Sequence, residues 1–457
     1  MIPAQGVVDL ALKATAAAGR CDETIVIVTD RAEASLRWAG NSMTTNGAST
    51  SRSTAVISIV RQGDTARVGV RSSSVADPRA VADLVTDSQA AAQSAPQARD
   101  NAPLLTGFGE TINWGDPVPG TGAGAFAEVA QALSAGFARS DRLYGYAHHV
   151  VETTFLATST GLRRRFTQPT GSVEITAKRD GASAWTGVST PWFTDVPVES
   201  MLADLEMRLG WARRTVELPA GRYETLMPPS TVADMMIYLN WTMDGRGAQE
   251  GRNALSAPGG GTRVGERLTD LPLTMYSDPF ASGLECAPFL HTTAGSERMS
   301  LFDNGMDIER VDWIRDGAIA ALAYPRAAAA EFGTSAAVPA DNLLMTGGGA
   351  DLADMVAATE RGLLLTTLWY IRTVDPITLL LTGLTRDGVY LIEDGEITAA
   401  VNNFRFNESP LDLLRRATEA GVAEATLPRE WSDWATRAVM PTLRIPDFRM
   451  SSVSQAQ

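Results

Sequence analysis

Twice in the last third of the chain an Asp-Gly pair separates two short apolar runs, in Ile314-Arg315-Asp316-Gly317-Ala318-Ile319 and in Ile392-Glu393-Asp394-Gly395-Glu396-Ile397. A type I′ turn needs φ > 0 at both central residues, which Asp tolerates and Gly adopts freely, and its twist suits two antiparallel strands. The two segments predict β-hairpins within one large sheet assembly. Residues 441–448 read as its last strand.

The rest of the chain mixes two periods. Val7, Leu10, Ala11 and Ala14 recur at helical spacing over residues 6–18. Residues 23–29 are β-branched, 34–38 alternate, and Gly40-Asn41 marks a turn. Gln62-Gly63-Asp64 joins strands at 54–60 and 67–71. Asp77-Pro78 then supplies an N-cap and an N1 proline for a helix that carries Val81, Leu84, Val85 and Ser88 on one face and ends at Pro96. A second unit starts with a helical period over 126–139. It continues in strands at 144–157 and 162–167, joined at Ser159-Thr160-Gly161, then a strand at 172–177, and closes in an amphipathic helix over 198–216. In the third unit the helical stretches are 231–243 and 352–360. The expected class is α+β: helix-flanked N-terminal strand-meander units followed by a large, mainly antiparallel β C-terminal domain. The expected division is 1–95, a Pro/Gly-rich linker 96–123, 124–218 and 219–457.

Of the 457 residues 44% are hydrophobic and 20% charged, enough apolar mass for two or three cores. No apolar run approaches the roughly 20 residues that span a bilayer. The start lacks a positive region, and Asp9 and Lys13 interrupt its apolar stretch, so no secretory leader is expected. Two cysteines, Cys21 and Cys286, make no disulfide framework. The expectation is a cytoplasmic protein, without membrane contact. The 39 Lys and Arg against 53 Asp and Glu give a net charge of −14, which repels a polyanion, so no direct nucleic-acid partner is expected. The only long basic run, Arg163-Arg164-Arg165, is expected on a solvated strand edge. Lys13 and Lys178 are the only lysines and neither follows a glycine, which excludes a phosphate-binding Gly-Lys loop.

The order of these elements resembles the TldD/TldE (PmbA) family over almost the whole chain. The residues that carry it are Arg67-Val68-Gly69-Val70, Ser159-Thr160-Gly161-Leu162, residues 219–226 with Pro228-Pro229, Leu273 to Phe280 (LTMYSDPF) and Gly388 to Thr398 (GVYLIEDGEIT). The resemblance implies a paired system. One subunit is a zinc peptidase with a His-Glu-x-x-x-His helix; the other lacks that motif and completes a closed chamber as heterodimer partner. The implied metal helix follows the proline-containing lead-in to the third unit, the place held here by 231–243, TVADMMIYLNWTM.

Zinc hydrolysis needs three fixed protein ligands and an open position for water. Residues 231–243 contain no His, Glu or Cys, and none of the three histidines, His148, His149 and His291, is followed by Glu. Adjacent His148 and His149 point to opposite faces of a strand and cannot converge on one ion. The reading that follows is the metal-free subunit of a TldD/TldE-type heterodimer. No catalytic or metal-ligating residue is expected in this chain, and zinc is expected in a TldD-like partner. Small or unfolded peptides are the implied substrates.

Other constellations read as structural. Cys286 and His291 show no third orienting group. Asp303, Asp307, Glu309, Asp312 and Asp316 interleave with apolar residues as a strand with one wet face. Gly259-Gly260-Gly261 reads as a flexible loop and Gly347-Gly348-Gly349 as a turn. The polar-aromatic stretch after the second hairpin offers Asn402, Asn403, Arg405 and Asn407 as substrate or partner contacts, with a plain turn as the equal alternative. Two other functions remain open: a peptidase acting alone by non-zinc chemistry, with Cys286 as the residue to test, and a modulator of DNA gyrase acting through protein contacts.

Overall fold

The computed structural model describes residues 2–74, 77–107, 111, 113–138, 141–194 and 196–455. It begins with helix α1 (Ala4–Ala18), strands β1 (Glu23–Ala39), β2 (Met43–Gln62) and β3 (Thr65–Ser73), and helix α2 (Pro78–Ser94). Helix α3 (Ala127–Phe137), strands β4 (Arg142–Thr158), β5 (Arg163–Arg179) and β6 (Ala182–Ser189), and helix α4 (Val198–Trp211) follow. The end of the helix expected at 126–139 lies partly outside the described residues.

All six strands form one antiparallel sheet in the order β3-β2-β1-β4-β5-β6. Residues from both sides of 96–123 thus share a single hydrogen-bonded surface. Its strands are longer than sequence punctuation suggests. The runs at 23–29 and 34–38 are one strand, because Asp30 and Arg31 between them stay in register with β2 and β4. The runs at 162–167 and 172–177 are also one strand, which passes through Pro169. Strand β6 reaches only to Ser172, so β5 has no strand neighbour on that side at the proline, where a missing N–H is tolerated.

Asp77 caps α2 as its spacing requires: its carboxylate accepts from the backbone N–H of Arg79 and Ala80, both at 3.0 Å. Helix α2 lies directly on β3, and Gly69 is the reason it can. A Cβ there would stand 2.2 Å from the backbone nitrogen of Ala92.

The third unit opens with the short strand β7 (Thr215–Val216), strand β8 (Gly221–Met227) and helix α5 (Pro229–Thr242). The helix expected to run to 216 therefore ends at Trp211, and Thr215–Val216 pairs with the strand Glu396–Val401 instead. The second sheet is mainly antiparallel and has 14 strands. The final strand, Ala438–Val453, is at its centre and pairs with β8, Leu343–Met345, Phe404–Glu408 and Glu419–Thr426. Both Asp-Gly turns form as read: φ is 49° and 81° at Asp316-Gly317, and 52° and 80° at Asp394-Gly395.

Charged side chains fasten the units together. The basic run does lie where β5 has β4 as its one strand neighbour, but it is only partly solvated. Arg165 is buried, with its guanidinium over Phe155, and donates to the carbonyls of Asn113 and Pro117. Arg163 pairs with Asp9 and Arg164 with Asp307. Arg165 is internal because Asn113 and Pro117, from the segment after α2, bring backbone acceptors to it, whereas Arg163 and Arg164 stay half-buried. Glu174 of β5 is a second fastening: it receives hydrogen bonds from Trp185 Nε1 (3.1 Å), Arg429 Nη1 (3.2 Å) and Ser432 Oγ (3.0 Å).

Candidate functional site

Helix α5 occupies the place of the implied metal helix. Its sequence has little amphipathic period because it is enclosed: residues 231–237 are all buried, as are Leu239 and Asn240. It packs into the main core of the second sheet with the final strand against it. The segment Leu427 to Trp431 lies along its remaining side. Ser230 Oγ donates to the Leu427 carbonyl (2.9 Å), and the backbone N–H of Glu430 donates to Asp234 Oδ1 (3.0 Å). Tyr238, Trp241 and Trp431 close the far end as an edge-to-face cluster, with the two indole rings 4.6 Å apart.

Glu430 organises this end. Its carboxylate accepts from the backbone N–H of Tyr370 (2.7 Å) and Ile371 (3.0 Å) and from Arg372 Nη1 (3.1 Å). Those bonds hold Tyr370 in the left-handed region at φ 57°, an unfavoured conformation for an aromatic residue. Tyr238 Oη donates to the Ile371 carbonyl at 2.7 Å. Burial first, and then the Glu430 charge, push the Tyr238 phenol up to about 12. Burial also drives the Asp234 carboxyl well above the usual range, outweighing the N–H it accepts.

A zinc site of the family's kind does not fit these residues. Asp234 is the only carboxylate on α5; it is fully buried and engaged by Glu430, and the adjoining turns carry Thr231, Met235 and Tyr238. The histidines are elsewhere. His149 is buried in β4, with Nδ1 2.7 Å from Thr121 Oγ1 and Nε2 2.8 Å from the Pro191 carbonyl; burial lowers its pKa. His148, its neighbour on the opposite face, pairs with Glu33 at 3.1 Å. His291 sits in a loop against Phe289. Among the described residues no three His, Cys, Asp or Glu side chains gather closely enough to hold a metal ion.

The remaining candidates resolve individually. Cys286 is buried beside Leu290, Ile308 and Val338, and burial pushes its thiol up to about 12. The acidic cluster does not share one strand face. Asp303 is fully buried and paired with Arg326 at 2.7 Å, and only Val311–Arg315 is a strand, because the chain turns at Asn304-Gly305. The backbone N–H of Gly348 donates to the Gly421 carbonyl (2.7 Å), so this triplet packs on the strand Glu419–Thr426. Asn402 Oδ1 accepts from the backbone N–H of Leu218 (2.7 Å), and Asn403 Oδ1 from Thr385 Oγ1 (3.2 Å). Arg405 reaches Thr382 Oγ1 at 3.5 Å, and Asn407 Oδ1 is buried without a hydrogen-bond partner.

Sequence reading did not anticipate a polar cleft of about 230 Å³ between the two sheets, lined by His148, Glu152, Asp341, Trp434 and Arg437. Its lining joins strands of the first sheet to the loops at Asp341 and 432–437, so no local spacing announces it. Arg437 crosses its floor from Asp341 (3.1 Å) to the Pro169 carbonyl and Thr170 Oγ1. The cleft can hold a polar group.

Residues 220–452 match the PmbA/TldA metallopeptidase C-terminal domain. TldE from Thermococcus kodakarensis superposes with a TM-score of 0.78 at 15% identity, over 97% of this chain and 99% of that one. A candidate modulator of a DNA gyrase from Thermotoga maritima gives 0.75 at 15% identity over 97% and 99%, and one from Bacteroides thetaiotaomicron gives 0.74 at 14% over 98% of each chain. At such identities these likenesses are of fold. No curated protein matches the sequence. With more than half of its length in that domain and the fold shared end to end, the chain belongs to the PmbA/TldD/TldE family of metallopeptidase-like proteins.

Proposed function

We propose that this chain is the metal-free subunit of a TldD/TldE-type heterodimeric zinc peptidase acting on small or unfolded peptides. The observation that carries the reading is α5. A metal helix must turn two ligands and a base toward open space. This one is enclosed on nearly every side, and its single carboxylate accepts a backbone N–H from the segment that covers it. In this reading zinc belongs to the TldD-like partner, and this chain supplies part of the chamber wall.

The test mixes the chain with a family member carrying His-Glu-x-x-x-His. A 1:1 complex on size exclusion, and peptide hydrolysis abolished by chelator and present only in the mixture, are the expected results. Failure to associate, or hydrolysis by the chain alone, would end this reading. Neither alternative has comparable support. A cysteine peptidase needs a thiolate, and burial holds Cys286 protonated. For a gyrase modulator acting through protein contacts no residue of this chain supplies an argument, and the net charge of −14 opposes only direct contact with DNA.

A further inference from the structure

A cavity of about 910 Å³ opens where the end of the first sheet meets the second, on the side away from Arg437. Arg142, Tyr144 and Lys178 line it from β4 and β5; Asp387, Gly388 and Asn403 line it from the second sheet. Arg142 and Lys178 are direct partners across the antiparallel β4–β5 pair, so two cations stand opposite each other on one face. Like charges in that relation destabilise a sheet. Among the described residues neither cation has a carboxylate partner, although carboxylates are in excess over the chain as a whole.

The other charges at the site are already committed. Arg179 is bound by both oxygens of Asp141, at 2.5 and 2.8 Å. Asp387 is buried, accepts from Ser183 Oγ at 2.5 Å and is faced by Arg429 at 3.5 Å. Asp180 is exposed in the β5–β6 turn at the rim. The Lys178 ammonium lies over the Tyr144 ring at 5.6 Å, which holds its stem along the wall.

We propose that this cavity binds an oxyanion between Arg142 and Lys178, either the terminal carboxylate of a peptide or a phosphate. An anion placed there converts a cross-strand repulsion into two charge-assisted contacts. The ring of Tyr144 gives the remainder of the ligand an aromatic wall. The site is wholly within this chain, so its test does not depend on any partner subunit.

The experiment is calorimetric titration of the isolated chain at low salt with three probes: acetyl-trialanine as the free acid, the same peptide as its C-terminal amide, and inorganic phosphate. Binding of the free acid but not the amide identifies a carboxylate site; binding of phosphate with both peptides silent identifies a phosphate site. In either case Arg142→Ser/Lys178→Ser should weaken binding by at least about tenfold. Silence of all three probes, equal binding of acid and amide, or affinity unchanged in the double variant would overturn the proposal.

Discussion

The backbone N–H of Glu430 donates to the Asp234 carboxylate at 3.0 Å, joining a loop near the end of the chain to the middle of helix α5. The second oxygen of Asp234 is buried and has no hydrogen-bond partner. One N–H cannot offset the loss of water around a full charge, so the carboxyl is held well above its ordinary range. For an acid shifted upward the folded state binds the proton more tightly than the unfolded one. Stability is then unaffected below the unfolded pKa and is lost as pH rises from there toward the folded value. Asp234→Asn keeps the acceptor and removes the charge. It should raise Tm at pH 7, because the buried carboxyl no longer has to be held neutral against solvent, less the cost of the new amide N–H. The gain should vanish near pH 4, where the unfolded carboxyl is itself protonated. Thermal melts of both proteins across that range check this, and a gain independent of pH would refute the charge as its cause.

Glu174 is worth more than a surface ion pair because it serves three donors at once and is mostly buried. Removing it leaves the Arg429 guanidinium with only Asp387, and Trp185 Nε1 and Ser432 Oγ without their acceptor. Glu174→Ala should cost about 3–5 kcal/mol, as expected when one partner of a buried pair is deleted. Chemical denaturation measures it. A cost below about 1 kcal/mol would mean the contact behaves like an exposed pair.

Gly69 illustrates what was and was not legible in the sequence. Arg67-Val68-Gly69-Val70 could be read as part of a strand, and Asp77-Pro78 as the start of a helix, since both signals are local. That the helix presses on the strand at this glycine is visible only in three dimensions. The same division runs through the chain. Turns at Gly40-Asn41, Asp316-Gly317 and Asp394-Gly395 were readable because φ > 0 selects their residues. The absence of a ligand triad on α5 was readable because it depends on residue type alone. The burial of Arg165 and the pairing of Arg163 and Arg164 were not, because their acceptors are backbone carbonyls and carboxylates from three distant segments. Nor was the cation pair Arg142–Lys178, which exists only through the register of β4 and β5.

Gly69→Ala should therefore destabilise the first sheet. The added Cβ would stand 2.2 Å from Ala92 N and 2.3 Å from Ser88 O, both backbone atoms of α2 that cannot rotate away. The helix must lift, and Ser88 Oγ would lose bonds to the Val56 carbonyl (3.0 Å) and Ser58 Oγ (2.9 Å). A loss of about 1–3 kcal/mol or more is expected, with faster amide exchange in α2 than in α5.

Cys286 separates a structural thiol from a catalytic one. Burial is the larger cause of its shift, followed by the Asp341 charge, and together they push the thiol to about 12. At pH 8 fewer than about one thiol in a thousand is then ionised in the folded protein, against roughly a quarter for a free cysteine. The sign follows for stability as well: a thiol raised in the folded state weakens the fold only as pH climbs above the unfolded value near 8.5. Disulfide-exchange reagent at pH 8 should leave Cys286 unmodified in the native chain and label it fully in denaturant. Cys286→Ala should leave the hydrolytic activity of the mixed complex within about twofold, since the side chain is buried in a satellite core beside Leu290 and Val338. Rapid labelling of the native thiol, together with activity that disappears in the alanine variant, would place chemistry at this residue and reverse its assignment.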